Sequence, residues 1–183
     1  MQWEVLFGGT GGQGVVLAGV ILAKAALNES KYASCMTAYG PEMRGGTANC
    51  TTVVSEEEIV TPIIPRPSAV ITLNQLSYER FKEAVAPGGI LLVNTSLVKL
   101  NPCPTTIPDV KVFALPMNDL AMELGNIRVA NIVALGAYIR LTSAVKTTSV
   151  VEALKDQLGE KKHLIPVNER AIEWGMQKIR DRV

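Results

Sequence analysis

The sequence has almost no surplus of charge: 18 Lys and Arg stand against 17 Asp and Glu, a net charge of +1 over 183 residues. A chain so balanced has no overall field to hold it on nucleic acid or an anionic membrane, so its partners must be recognised locally. Cysteine is scarce. Cys35, Cys50 and Cys103 are the three present, and no C-x-x-C occurs, which leaves no disulfide framework, zinc site or iron–sulfur ligand run to be read. Each reads instead as a small buried or half-buried hydrophobe. The one histidine, His163, follows Lys161-Lys162 and reads as a surface residue, and no set of nucleophile, base and orienting group can be assembled around it. No apolar run is long and clean enough to span a bilayer, and Met1-Gln2-Trp3-Glu4 lacks the basic start and apolar core of a secretory signal. A cytoplasmic location is therefore expected. Internal repeats and low-complexity segments are absent as well.

What the chain does have is aliphatic mass. Hydrophobic residues make up 48% and charged residues only 19%, the apolar end of the range for a soluble domain, and the length suits one domain over residues 1–183 with a well-buried core. Short apolar runs predict strands at Trp3–Phe7, Ala33–Ala38, Thr47–Val54, Ala69–Leu73, Ile90–Val93 and Lys111–Leu115, and 3.6-residue spacing predicts helices between or after most of them. The first, Gln13–Leu27, has almost no polar face before Lys24, so it is expected to be buried on most sides. The others are Gln75–Val85, Asn118–Gly125, Val129–Leu141, Thr148–Leu158 and Asn168–Arg182. Between Thr61 and Pro67, three prolines in six residues remove ladder donors and fix the backbone, which makes this a crossing loop. The alternation predicts an α/β fold, a three-layer sandwich in which a largely parallel sheet carries helices on both faces.

Two loops carry unusual information. GTGGQG, Gly9 to Gly14, follows the first strand and opens the apolar helix. Its Gly9, Gly11 and Gly14 satisfy G-x-G-x-x-G, a spacing that cradles a pyrophosphate in dinucleotide folds. The rest of that site is missing. No Asp or Glu occurs in Tyr32–Tyr39, where the ribose ligand belongs, and no Lys-Ser or Lys-Thr pair follows the glycines for a Walker site. What survives is close backbone approach and free amides at a helix start, which favour an anion or a ligand oxygen, with Gln13 adding a donor and an acceptor. The plainer alternative is a tight turn whose glycines let the helix pack on the sheet. The second loop, YGPEMRGG from Tyr39 to Gly46, sets Glu42 and Arg44 between glycine punctuation. Arg44 there can grip a carboxylate or phosphate, or stiffen the turn through Glu42.

The two loops in this order, with the Pro-rich crossing near Pro62, AVITLNQLSYERF at Ala69–Phe81, PGGILLVNTSLV at Pro87–Val98 and NIVALGAY at Asn131–Tyr138, resemble the gamma subunit or domain of the 2-oxoacid:ferredoxin (acceptor) oxidoreductases across nearly the whole chain. That resemblance implies a subunit of an enzyme that oxidatively decarboxylates a 2-oxoacid to acyl-CoA and CO2, inactive alone. Thiamine diphosphate, Mg and iron–sulfur clusters are then expected in alpha and beta subunits, and in a ferredoxin-like delta subunit where one is present, since this chain has neither the GDG and downstream Asn of a thiamine site nor cluster cysteines. Electrons would leave the complex to ferredoxin or another acceptor. By the same resemblance Gly9, Gly11, Gly12, Gln13 and Gly14 contact CoA or a partner loop, with Tyr39, Glu42 and Arg44 as the facing wall. Two other readings stay open: a free-standing nucleotide-binding module, and a structural subunit whose loops are protein contacts. The apolar composition fits either a subunit or a homodimer of the isolated chain.

Overall fold

The computed structural model describes residues 1–40, 46–100 and 109–180, and of Arg180 only the backbone. Its centre is a six-stranded sheet in the order β2-β3-β1-β4-β5-β6, formed by Gln2–Thr10 (β1), Tyr32–Tyr39 (β2), Thr47–Ser55 (β3), Ala69–Thr72 (β4), Ile90–Asn94 (β5) and Lys111–Leu115 (β6). The pairs β1–β4, β4–β5 and β5–β6 are parallel, whereas β3 runs antiparallel to both β1 and β2. Three of five pairings thus match the expected parallel sheet, and the mixed part has a simple origin. Val15–Asn28 (α1) carries the chain back so that β2 points the same way as β1, and the short link after Tyr39 returns β3 antiparallel into the gap between them.

Successive residues of the central strands alternate between two cores, as the pleat demands. Val5, Phe7, Ile71 and Leu92 face the larger one with α1 and the C-terminal helices, while Leu6, Val70, Leu91 and Val93 face a smaller one under Tyr78 and Val85. The large face carries α1, Met117–Glu123 (α3), Ala130–Thr142 (α4), Thr147–Leu158 (α5) and Ile165–Arg180 (α6), and the small face Gln75–Phe81 (α2). The sandwich therefore has three unequal layers. Phe7 meets the fully buried Tyr138 edge to face, centroids 6.4 Å apart, a contact of about 1 kcal/mol beyond its buried area.

The element boundaries show which forces settle them. β1 runs on through Gly8, Gly9 and Thr10 because β3 pairs with it over its full length, Thr10 opposite Thr47. α1 begins at Val15 and not at Gln13 because Gly14 adopts φ 73, the left-handed region. α2 gives way to a 3-10 turn at Lys82–Ala84 ahead of Pro87. α6 starts three residues before the expected Asn168, with Pro166 in its first turn, where a missing N–H costs nothing. α4 and α6 cross so closely that a Cβ on Gly136 would strike the Ile172 carbonyl, and one on Gly175 the Val133 carbonyl.

Candidate functional site

β1 and β4 are neighbours, yet the helices that follow them leave on opposite faces, α1 to the large core and α2 to the small one. Such a divergence opens a crevice beyond the carboxyl ends of the two strands, the usual ligand position in open α/β sheets. The GTGGQG loop lies here. Gln13 N–H donates to Thr10 O at 3.1 Å, closing a β-turn with Gly11 and Gly12 at its corners, and Gly12 at φ 90 meets the positive φ of the third position of a type II turn.

The five loop residues divide by role. A Cβ on Gly9 would stand 2.8 Å from Gln13 Oε1 and 2.9 Å from Val15 Cγ1, and one on Gly14 would collide with the Asn131 amide. These two glycines let the loop pack. Around Gly11 and Gly12 no atom of the described residues comes within 4 Å of a built Cβ, so among the described residues the turn is open. Gln13 faces inward: Oε1 accepts from Thr10 N–H (2.8 Å), Thr10 Oγ1 (3.1 Å) and Asn74 Nδ2 (2.8 Å). Its oxygen ties β1's turn to the start of α2 and is not offered to a ligand. Among the described residues no side chain caps α1 at Gly14, and its first-turn amides and positive dipole end suit an acceptor oxygen. α2, in contrast, is closed by a capping box between Asn74 and Ser77.

Tyr39 ends β2 opposite Ala48, which is itself opposite Gly9. The tyrosine therefore shares the glycine loop's end of the sheet, two strand spacings or about 10 Å away, and is exposed. Glu42 and Arg44 lie outside the described residues.

Several residues of this end were not singled out from sequence. Arg80, exposed on α2, donates from Nη1 to Thr47 Oγ1 at 2.8 Å, and Thr47 is opposite Thr10. This places a guanidinium beside the glycine turn. Asn94, fully buried at the end of β5, donates to Leu73 O (2.9 Å) and Asn118 Oδ1 (2.7 Å) and accepts from Met117 N–H (3.0 Å), joining β4, β5 and α3 into one rigid floor. Asn131 on α4 donates to Gly14 O at 2.9 Å, which fixes the left-handed residue before α1. Asn94 ends the apolar run ILLV and Asn131 interrupts the run VANIVALGA, while Arg80 stands in the polar stretch SYERF with no such signal; their uses are readable only once the neighbouring elements are known.

No acid–base or metal chemistry emerges from this constellation. Among the described residues no group of three or more His, Cys, Asp or Glu could hold a metal ion, His163 is exposed in a turn before α6, and no helix is long and apolar enough to cross a membrane. Two clefts between described residues, about 440 Å³ beside Glu29 and Arg140 and about 580 Å³ beside Tyr32 and Pro62, lie at the other end of the sheet, where Tyr32, Ser55 and Gln2 share a row. The glycine end instead carries the Gly11–Gly12 turn, the start of α1 and the Arg80 guanidinium.

Comparison with known proteins agrees over the full length of the sheet and helices. A family model described as pyruvate ferredoxin/flavodoxin oxidoreductase matches residues 4–178. The 2-oxoglutarate synthase subunit KorC of Methanocaldococcus jannaschii is 38% identical over 170 residues, covering 90% of each chain. The ketoisovalerate oxidoreductase subunit VorA of Methanothermobacter thermautotrophicus is 34% identical over 98% of this chain, which spans only 37% of that longer relative. Among solved structures, the gamma subunit of a keto/oxoacid ferredoxin oxidoreductase from Geobacter sulfurreducens superposes with a TM-score of 0.83 at 31% identity, over 98% of this chain and 99% of that one.

Proposed function

The chain belongs to the pyruvate ferredoxin/flavodoxin oxidoreductase family, and from that premise we propose that it is the gamma subunit of a multisubunit 2-oxoacid:ferredoxin oxidoreductase, lending the glycine end of its sheet to the approach of CoA. The complex converts a 2-oxoacid and CoA to acyl-CoA and CO2 and passes the electrons to ferredoxin. Decarboxylation and electron transfer belong to alpha, beta and delta-type partners carrying thiamine diphosphate, Mg and iron–sulfur clusters, all in the cytoplasm. This chain contributes binding and assembly.

The observation that carries the reading is the turn at Gly11 and Gly12, open among the described residues, in front of an α1 start that no described side chain caps. A phosphate fits there because backbone N–H groups and the helix dipole favour negative charge without a protein carboxylate competing. Arg80 stands close enough to add a charge-assisted contact. Gly9, Gln13 and Gly14 shape the turn, Gly11 and Gly12 face the ligand, and Tyr39 stands at the same end of the sheet.

The test is to purify the chain anaerobically from its host through a tag and assay the associated material for CoA-dependent 2-oxoacid oxidation, then to repeat it with Gly11→Asp. The substitution sets a carboxylate in the open turn, and the KM for CoA is expected to rise at least tenfold with subunits still associated. A complex that loses its partners on Gly11→Asp would assign the turn to a partner loop. Wild-type KM and wild-type assembly together would remove the turn from the site, and a tagged chain that recovers no partners and no activity would overturn the subunit assignment.

A further inference from the structure

Among the described residues β2 is an edge strand, with β3 as its only neighbour in the sheet. In their antiparallel register Cys35 is opposite Thr52 and Cys50 is opposite Thr37, so both cysteines point to one face and are diagonal neighbours. Their Sγ atoms are 3.1 Å apart, about 1 Å longer than a disulfide bond. Thr52 Oγ1 lies 3.8 Å from each sulfur. α1 roofs the pair at Gly19, where a Cβ would collide with Cys50 Sγ and sit 2.7 Å from Thr52 Oγ1. Cys50 is buried beneath that roof, and Cys35 is half-exposed. A reagent therefore reaches the first sulfur from solvent and the second only through the first.

The two thiols do not titrate alike. The hydrogen bond between the two sulfurs lowers the Cys35 thiol to about 7 against the burial that raises it, with the Thr52 hydroxyl helping. Cys50 is raised, by the same contact and by burial. A thiolate at Cys35 is the nucleophile in thiol–disulfide exchange, and its pKa near ambient pH favours attack.

We propose that Cys35 and Cys50 form a reversible cross-strand dithiol, oxidised by low-molecular-weight disulfides to an intramolecular disulfide that fastens β2 to β3. Cys35 thiolate attacks one sulfur of R–S–S–R, forming a mixed disulfide and expelling one RS⁻. Cys50 sulfur then attacks the Cys35 sulfur and expels the second RS⁻. The two protons lost by the protein thiols convert the leaving groups to two R–SH, so the protein is oxidised by two electrons and the small disulfide reduced by the same two. The remaining 1 Å is closed by β2, which among the described residues has no second strand to carry with it. The bond would lie four positions before Tyr39, so it also holds the end of β2 that borders the glycine turn. This inference stands on the sulfur geometry and not on the functional reading.

The test uses the full-length chain carrying Cys103→Ser, which leaves only the pair, incubated folded with bis(2-hydroxyethyl) disulfide. Expected are the loss of both free thiols, a peptide map joining the Cys35 and Cys50 peptides, and full reversal by dithiothreitol. With Cys50→Ser added, the reaction should stop at a mixed disulfide on Cys35, and with Cys35→Ser added, Cys50 should react at least tenfold more slowly than Cys35 does in the Cys50→Ser chain. A stable mixed disulfide on Cys35 with Cys50 still free, or no reaction while the far-ultraviolet spectrum shows a folded chain, would overturn the proposal.

Discussion

Alanine substitution along the glycine turn separates glycines that build the loop from glycines that leave it open. Gly14→Ala is the severe case. Its φ of 73 places an L side chain in the left-handed region at a cost of about 1–2 kcal/mol, and the new Cβ would occupy the position of the Asn131 amide. Asn131 is 1% exposed and its Oδ1 already lacks a partner. Driving it from Gly14 O orphans a second buried polar atom, about 1–3 kcal/mol more. The sum is about 3 kcal/mol, a fall in Tm of about 6–12 °C at the 2–4 °C per kcal/mol of a domain this size. Gly12→Ala has open space but φ 90, so only the backbone term applies, about 1–2 kcal/mol. Gly11→Ala meets neither a neighbour nor a positive φ and should stay within about 0.5 kcal/mol of wild type. Thermal melts and urea titrations of the three variants read this order directly. Gly14→Ala as stable as wild type, or Gly11→Ala less stable than Gly12→Ala, would refute the division of roles.

The α4–α6 crossing gives a case where propensity and packing disagree in sign. Alanine in place of Gly136 gains about 1 kcal/mol of helix propensity, but its Cβ would lie 2.9 Å from Ile172 Cα and C and closer still to the carbonyl oxygen. Separating two backbones costs about 1–3 kcal/mol, so urea unfolding should show a net loss, and a more stable Gly136→Ala would contradict the crossing. Glu29 supplies a pH test. Burial raises its carboxyl, but the Lys146 amide, Lys31 and Ser149 as hydrogen-bond donors and the Lys31 charge outweigh burial and leave it below its ordinary 4.5. A carboxyl depressed in the folded state stabilises above its unfolded value and stops doing so as pH falls through the folded one. Glu29→Gln should therefore cost about 1–2 kcal/mol at neutral pH, and the gap to wild type should close on acidification; a pH-independent gap would argue against the charge.

Local pattern was enough for most elements. The apolar run around Phe7, the β-rich Thr47–Ser55 and the βαβ unit from Ala69 to Asn94 each declare themselves through residues a few positions apart, because pleat and helix periods act over that range. The glycine turn's place after β1 was equally readable. The uses of its residues were not. Gln13 reads as both a donor and an acceptor for a ligand, yet its acceptor oxygen is held by Thr10 and by Asn74, sixty-one positions away in sequence. Arg80 beside Thr47 and Asn131 beneath Gly14 are likewise contacts between distant segments.

By itself the sequence determined the α/β alternation, the glycine turn at a helix start and the family resemblance. Tertiary structure alone decided that β3 enters antiparallel beside β1, that Gly9 and Gly14 serve packing while Gly11 and Gly12 stay open, and that Cys35 and Cys50, fifteen residues apart, meet beneath Gly19. Backbone periodicity is a property of neighbours along the chain, whereas burial, side-chain satisfaction and sulfur–sulfur approach depend on which strands and helices the collapsed chain sets side by side.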